Sequence, residues 1–374
     1  MTVQYRRAWN ILVGSFIPGT TTFNTGGQVL QLSSNNPGYD LRCHFEIRAS
    51  DVETPNTATI RIYNLSEATS KTLSSVSGIK SQTYGPSLPG QAQEATIPSK
   101  SVGEFTAISV QAGYVDPGPA TIFAGTIKQI RRGRLNATDS YVDIFAGDGD
   151  AAYNFGRVNT TLDGPQANPD AIAAAVGTSF AQYNVGNQIV GLSGGVIVNP
   201  RGKVMYGMGR SVMRDLAVTQ QSRWSIQNGQ LQMIKLNGYL PGTAVELNAY
   251  TGMIGVPEST PNGILVDCLL NPLIKIGGLV KINNKDIAQA DIKQLYGYPD
   301  YRGMTFFATT DDDGVYKVLV HEIEGDTREN PWYSHLTCLL VDVSAPAGKQ
   351  IKPYDAGGAT PQGTVSLGKI SVLP

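Results

Sequence analysis

Residues 105–150 read FTAISVQAGYVDPGPATIFAGTIKQIRRGRLNATDSYVDIFAGDGD. Three runs rich in Val, Ile, Thr, Tyr and Phe are separated by turn-forming residues, first at Asp116-Pro117-Gly118-Pro119. This pattern predicts three sequential strands in an antiparallel meander. Upstream, TATIRIYNL (Thr57 to Leu65) places Ala58, Ile60, Ile62 and Asn64 on one face and Thr59, Arg61 and Tyr63 on the other, and His44 to Ile47 alternates into Arg48; both read as strands. Ser66 follows as an N-cap for a short amphipathic helix through Ala68, Thr72, Leu73 and Val76. With 42 Gly and 21 Pro recurring between such runs, the chain reads as mainly β.

Composition excludes several classes of function. The 374 residues hold 29 Lys+Arg against 30 Asp+Glu, a net charge of −1 with no long block of one sign, so nothing attracts duplex DNA along a basic groove. The length suits two or three domains, each with its own core. Cys43, Cys268 and Cys338 are odd in number and widely spaced, so they encode neither a disulfide framework nor a zinc site and read as small buried hydrophobes. No signal peptide is visible in MTVQYRRAWNILVGSFIPG and no apolar run spans a bilayer, so a soluble protein without membrane insertion is expected. On that reading the sequons at Asn64, Asn136 and Asn159 carry no meaning.

Beyond Gly156 the composition shifts. Asn168-Pro169-Asp170 is a helix-start signal carried on by AIAAAV, a second helix is expected from Ser211 to Gln221, and Asn228-Gly229 between RWSI and LQMI predicts a hairpin. From Val245 to Val343 the chain is strand-rich again. Residues 78–103, dominated by Gly, Pro, Ser and Gln, read as a long surface loop that orders on a partner, and residues 344–374 as an extended arm. Ile127 to Asp148 matches Val320 to Asp342 with one gap: an apolar strand end through Ile130 or Ile323, a polar loop, an aromatic and an alternating strand ending in Asp. The implied division is a first β domain over 1–156, a smaller α+β middle over 157–244, a second β domain over 245–343 and an arm over 344–374.

Catalytic chemistry finds little support. His44 is isolated on a strand; His321, in HEIEG, lacks the second His of a zincin helix; His335 lies beyond a hairpin loop. Asp311-Asp312-Asp313-Gly314 reads as a hairpin turn between FFATT and VYKVLV, not a calcium loop, and Asp148-Gly149-Asp150 as caps of a short helix. Tyr206-Gly207-Met208-Gly209-Arg210 lacks the third glycine and lysine of a phosphate cradle and reads as a tight connection. Lys128, Arg131, Arg132 and Arg134 read as a solvated hairpin end. Glu322 and Glu324 share a face of one strand and Glu258 lies in a turn, so no carboxylate pair suits glycoside hydrolysis. The expectation is a protein that is not an enzyme, with no catalytic residues, no bound cofactor and no metal.

FEIRASDVETPNTATIRIYNLSEAT, the strand reaching Ala112-Gly113-Tyr114, IFAGTIKQIRRG and YVDIFAGDGD, followed by RWSIQNGQLQM and TGMIGVPESTPNGILVDCLLNPLIKIGGLVKINN, resemble in their order the tail hub proteins of contractile-tailed bacteriophages. The resemblance covers Cys43 to Val343. It implies two tube-like antiparallel β-barrel domains per chain and a helical insertion. It further implies a homotrimer forming a pseudo-six-fold baseplate ring between the tail tube protein above and the spike protein below, with other baseplate proteins nearby. DNA would meet it only in transit through the lumen, and its place would be the virion tail, after assembly in the host cytoplasm. Rival readings are a tube or tail-terminator protein, built as a single β domain, and a tail-associated peptidoglycan hydrolase.

Residues 78–103 and the segment from Ser344 are expected to be cut by protease in the isolated chain and protected on assembly. Limited proteolysis of both states, followed by mass spectrometry, checks this; equal cleavage would remove their assignment as partner-binding segments.

Overall fold

The computed structural model describes residues 6–14, 30–34, 41–74, 106–116, 118–164, 167–190, 201–260, 263–283, 288–289, 313–341 and 372–373. The chain is mainly β with a small helical part, and one 15-stranded sheet runs through most of it. The expected loop over 78–103, residues 344–371 of the expected arm, Asp311-Asp312 and FFATT lie outside the described residues.

The first part comprises β1 (Arg7–Gly14), β2 (Leu30–Ser33), β3 (Cys43–Ser50), β4 (Thr57–Tyr63), α1 (Glu67–Ser74), β5 (Ala107–Tyr114), β6 (Gly118–Arg134) and β7 (Ser140–Gly147). Its strands lie in the order β3-β4-β7-β6-β5-β1-β2 with every pair antiparallel, and β5-β6-β7 is the expected meander. Alternation sends Ala58, Ile60 and Ile62 inward from β4 to meet Trp9, Ile11, Phe45, Ile108, Phe123 and Ile144. Burial of each large apolar side chain there contributes about 1.5–3 kcal/mol. Ser66 Oγ accepts from the Thr69 N–H at 3.2 Å and caps α1, whose Leu73 enters the same core.

The middle comprises α2 (Asp150–Phe155), β8 (Arg157–Leu162), α3 (Pro169–Ala181), β9 (Gly186–Val190), β10 (Lys203–Met208), α4 (Gly209–Thr219), β11 (Ser222–Gln227) and β12 (Gln230–Lys235). Asn168 caps α3 by accepting from the Ala171 N–H at 2.7 Å, with Pro169 in the first turn. Helix α4 starts two residues before the expected Ser211 because β10 passes straight into it. Gly209 donates to the Gly156 carbonyl at 2.8 Å, the tight connection expected there. Phe180, Trp224, Met213 and Leu231 fill a separate core. The β11–β12 turn has Asn228 at φ 51° and Gly229 at φ 72°, the paired left-handed residues of a two-residue hairpin.

The Asp148 carboxylate does not cap α2. That helix starts after Gly149 with no side-chain cap, and Asp148 instead accepts from the Asn228 N–H at 2.5 Å and the Gly229 N–H at 2.8 Å. Asn228 Oδ1 in turn accepts from the Ala124 N–H, and Asn56 donates to the Ile226 carbonyl. The hairpin turn is thus tied to β6 and to the connection after β7.

The last part comprises β13 (Ala244–Leu247), β14 (Met253–Thr260), β15 (Gly263–Leu269), β16 (Leu279–Asn283), β17 (Ala288–Gln289), β18 (Asp313–Asp326), β19 (Trp332–Leu340) and β20 (Val372–Leu373). The order is β14-β15-β19-β18, with β16 on the other edge of β18 and β13 beyond it. Glu258 therefore lies in a strand, not a turn. β13 runs parallel to both β16 and β20, so this sheet is not wholly antiparallel. Val245, Val266, Val280, Tyr316 and Leu336 form its core.

The two β parts repeat one topology. In chain order β3, β4, β5, β6 and β7 correspond to β14, β15, β16, β18 and β19, since both sets lie as first-second-fifth-fourth-third across the sheet. The long fourth strand carries a bulge against the fifth in both, between Ile127 and Gln129 and between Val318 and Val320. These bulges equate Gln129 with Val320 and Ile144 with Leu336. The match read from sequence is two residues out of this register.

Replacing Asp148 with Ala leaves two turn N–H groups without their acceptor and is expected to destabilise the chain by roughly 2–4 kcal/mol. Urea unfolding checks this, with Asp148→Asn, which keeps one acceptor oxygen, losing less.

Candidate functional surfaces

The repeated parts are joined by backbone. β18 pairs with β16 over Asp313–Lys317 and then, from Val320 to Asp326, runs antiparallel to Ser50–His44 of β3, which makes one sheet of two. The end of this seam is buttressed by Asp326, whose side chain is almost fully buried. Its Oδ2 accepts from Arg42 Nε at 3.1 Å and Nη2 at 2.9 Å, and its Oδ1 from the Arg328 and Glu329 N–H groups. Burial pushes this carboxyl up, but the Arg42 guanidinium and the two backbone donors outweigh it and hold it below the usual carboxylate range.

Arg7 closes the other side. From β1, six sheet positions away from β18, its guanidinium donates to the Asp326 carbonyl at 2.6 Å, the Asn330 carbonyl at 2.8 Å and the Glu329 carbonyl, and lies 5.3 Å from the Trp332 ring centre. The first sheet must therefore curl until β1 meets the β18–β19 turn. Trp332, Ile323 and Leu270 consequently share the first part's core.

Cross-strand registers put a single polar face across the joined sheet. Arg61 lies directly opposite Asp143, with Nε–Oδ1 2.6 Å and Nη2–Oδ2 3.0 Å, and its guanidinium stacks 4.4 Å from the Tyr141 ring centre. At the equivalent positions of the second part, Asp267 lies opposite His335 with Oδ1–Nδ1 2.7 Å, and Tyr333 meets the imidazole edge-on. The repeat thus keeps an acid hydrogen-bonded to a basic side chain beside a tyrosine and exchanges which strand carries the acid. Glu322 faces Arg48 on the same surface at 3.0 Å.

The middle part is fastened by a further ion pair and by a lysine bonded to backbone carbonyls. Arg223 meets Asp51 at 2.9 Å, and buried Lys317 donates to the Leu236 and Gly238 carbonyls. Between them lies a hollow with room for about one water, lined by Asp51, Arg223, Ser225, Gln232, Gly277 and Lys317.

Of the residues weighed for chemistry, Glu322 and His335 lie opposite one another across β18 and β19, and the rest do not converge on them. His44 bonds Glu46 at 3.1 Å, His321 bonds Ser334 Oγ at 2.9 Å in the interior, and His335 lies on the opposite face of its sheet from His321. All three cysteines are buried, and burial pushes the Cys268 thiol up to about 12. Burial pushes Asp148 up to about 7, against the pull of the Gly229 and Asn228 N–H groups, but its carboxyl is fully enclosed. Lys128 pairs with Asp150 at 2.8 Å, while Arg131, Arg132 and Arg134 are exposed. Among the described residues no group of three His, Cys, Asp or Glu could hold a metal, and no helix is long and apolar enough to cross a membrane.

No protein-family model matches the chain. No curated protein matches it in sequence. Its structural neighbours are tail and secretion-spike proteins. The 43 kDa tail protein of prophage MuSo2 from Shewanella oneidensis is similar at 8% identity over 89% of this chain and 96% of that one, with a TM-score of 0.49. The tail protein from Neisseria meningitidis MC58 is similar at 9% identity over the same shares, with a TM-score of 0.47. The E. coli c3393 protein, a type VI secretion component described as similar to the T4 tail proteins gp27 and gp5, is similar at 9% identity over 81% of this chain and 74% of that one, with a TM-score of 0.45.

Burial, with a smaller contribution from His335, lowers the His321 imidazole to about 4. The unfolded chain takes up this proton near pH 6.5 and the folded chain only near pH 4, so stability falls as pH drops through that window, by about 1.4 kcal/mol per unit. Denaturant unfolding between pH 7 and 4 is expected to show a shallower acid slope for His321→Gln than for the unaltered chain.

Proposed function

We propose that this chain is a structural hub protein of a phage tail baseplate. In this reading it has no enzymatic role, and three copies form a pseudo-six-fold ring that joins the tail tube protein above to the spike protein below. The observation that carries the reading is the duplication itself. Two copies of one strand topology, fused edge to edge in a single sheet, are what one subunit must supply if three subunits are to present six equivalent modules. The domain limits 1–156, 157–244 and 245–343, with an arm over 344–374, belong to the same proposal.

The polar face of the fused sheet supports a conduit lining. Arg48, Arg61 and Arg131 share it with Asp143, Glu322, Asp267, Glu46 and Glu324, so each positive group sits among acids and the acids are in excess. A surface with acids in excess offers a sliding polyanion few unpaired cations to bind, and salt-dependent attachment is correspondingly weak. The ring resides in the virion tail, is assembled in the host cytoplasm, meets DNA only in transit, inserts into no membrane and contacts other baseplate proteins at its rim.

Mass measurement in solution tests the proposal. A trimer that images as a ring with a central opening is expected; a hexamer would instead indicate a tube protein. Release of peptidoglycan fragments by the purified chain, lost on replacing a single carboxylate, would overturn the structural reading.

A further inference from the structure

We propose that the outer edge of β6 and the residue after it, residues 131–135, pair antiparallel with β14 of a second copy of this chain, repeating between copies the contact that β18 makes with β3 inside one. This rests on the ring reading and names the surfaces that close it.

The two long strands lose their third-strand partner at the same point. Ile127 donates to the Thr106 carbonyl at 2.8 Å where β5 ends, and Val318 donates to the Gly278 carbonyl at 3.0 Å where β16 ends. Past that point the vacated edge of β18 receives β3, from Val320 to Asp326. The corresponding edge of β6 pairs with no strand among the described residues, although its other edge continues along β7 to Arg134. A row of unmet N–H and C=O groups is a template for another strand. The counterpart of β3 is β14, because each pairs with the matching second strand, β4 or β15.

Transferring the internal register makes the partnership specific. It sets Arg131 opposite Thr260, so that Arg131 lies diagonally across from exposed Glu258, and it sets Leu135 opposite Ile254. The equivalence of Leu135 with Asp326 is fixed by matched turns, in which Leu135 donates to Asp139 and Asp326 to Pro331. That of Ile254 with His44 follows from their opposites, Asp267 and Arg61, across the bulge that β14 carries between Ile254 and Glu258 and β3 does not, so the ladder is interrupted there. Leu135 is 60% and Ile254 39% exposed, so the ladder would cover two apolar side chains against each other. Two β6 edges cannot pair with one another as well, since Arg131, Arg132 and Arg134 would face like charges. The contact is therefore head-to-tail, the kind that generates rings. Among the described residues, Ala288 and Gln289 of β17 pair in parallel with Glu258 and Ser259 on the outer edge of β14, and the antiparallel ladder would displace them.

The test is a disulfide in the full chain with Arg131→Cys and Thr260→Cys. Directly opposed antiparallel residues lie about 4.5–5.5 Å apart, within bridging range. The native cysteines are buried and give little background. Mild oxidation is expected to produce a reducible ladder ending at the mass of the native oligomer. Neither single variant, nor Arg132→Cys with Thr260→Cys, whose side chains would lie on opposite faces, should do so. Leu135→Asp should raise the concentration for half-assembly at least tenfold with unchanged unfolding. A native oligomer whose Arg131→Cys, Thr260→Cys form does not cross-link would overturn this pairing while leaving the ring intact; a chain that stays monomeric at all concentrations would overturn both.

Discussion

A β-sheet with an unpaired edge is unfinished, and the pairing of β18 with β3 is where this molecule finishes one inside itself. Each backbone group left bare at a sheet edge either meets water or recruits a strand. β18 is long enough to serve two partners in succession because the bulge at Val318 and Val320 lets its first half serve β16 and its second half β3. Everything else at the seam follows from that continuity. Asp326 can be buried because its four acceptor bonds come from groups the seam already fixes, namely Arg42 beside β3 and the N–H groups of the turn after β18.

Arg7 shows how a sheet can be closed without a ladder. Its guanidinium presents donors in a rigid fork, and three carbonyls of the β18–β19 turn converge on it while Trp332 offers a ring face. A lysine could supply the charge but not this planar geometry. Closure by a side chain leaves the β1 backbone free to pair with β2 and β5, so the same strand serves both the sheet and its seam. The middle part is held more locally, by a turn whose N–H groups point at Asp148 and whose Asn228 side chain occupies Ala124, a backbone donor that β7 does not reach.

Local signals in the sequence were sufficient for local structure. Alternation in TATIRIYNL, the cap at Asn168 before Pro169, Ser66 before α1 and the Asn228-Gly229 turn each act within a few residues, and each is found where the chain predicts it. Asp148 misled because a carboxylate before a helix and a carboxylate aimed at a distant turn look alike along the chain; only the fold decides which N–H groups arrive. The duplication was visible but displaced by two residues. Strand alternation has a period of two, so a slip of two leaves every inward residue inward, and only the bulges and turn bonds, which sequence does not display, fix the true register. The paired strand edges were illegible for the same reason: an edge is a property of neighbours, not of residues.

The exchanged charges argue that the duplication constrains position more than identity. Arg61 opposite Asp143 and Asp267 opposite His335 keep an acid hydrogen-bonded to a basic side chain on the same face, next to a tyrosine at the same place, with acid and base on opposite strands. What both arrangements satisfy is a local demand: an outward face beside a packed core needs polar groups that neutralise one another so that neither is left desolvated alone. Divergence can then swap the members freely so long as the sum is kept. The edge strands obey a different rule, since there the unequal sign is useful. An arginine-rich β6 edge resists its own kind and accepts one bearing an acid, so the charge that is redundant on the face becomes, at the edge, the element that gives the contact its direction.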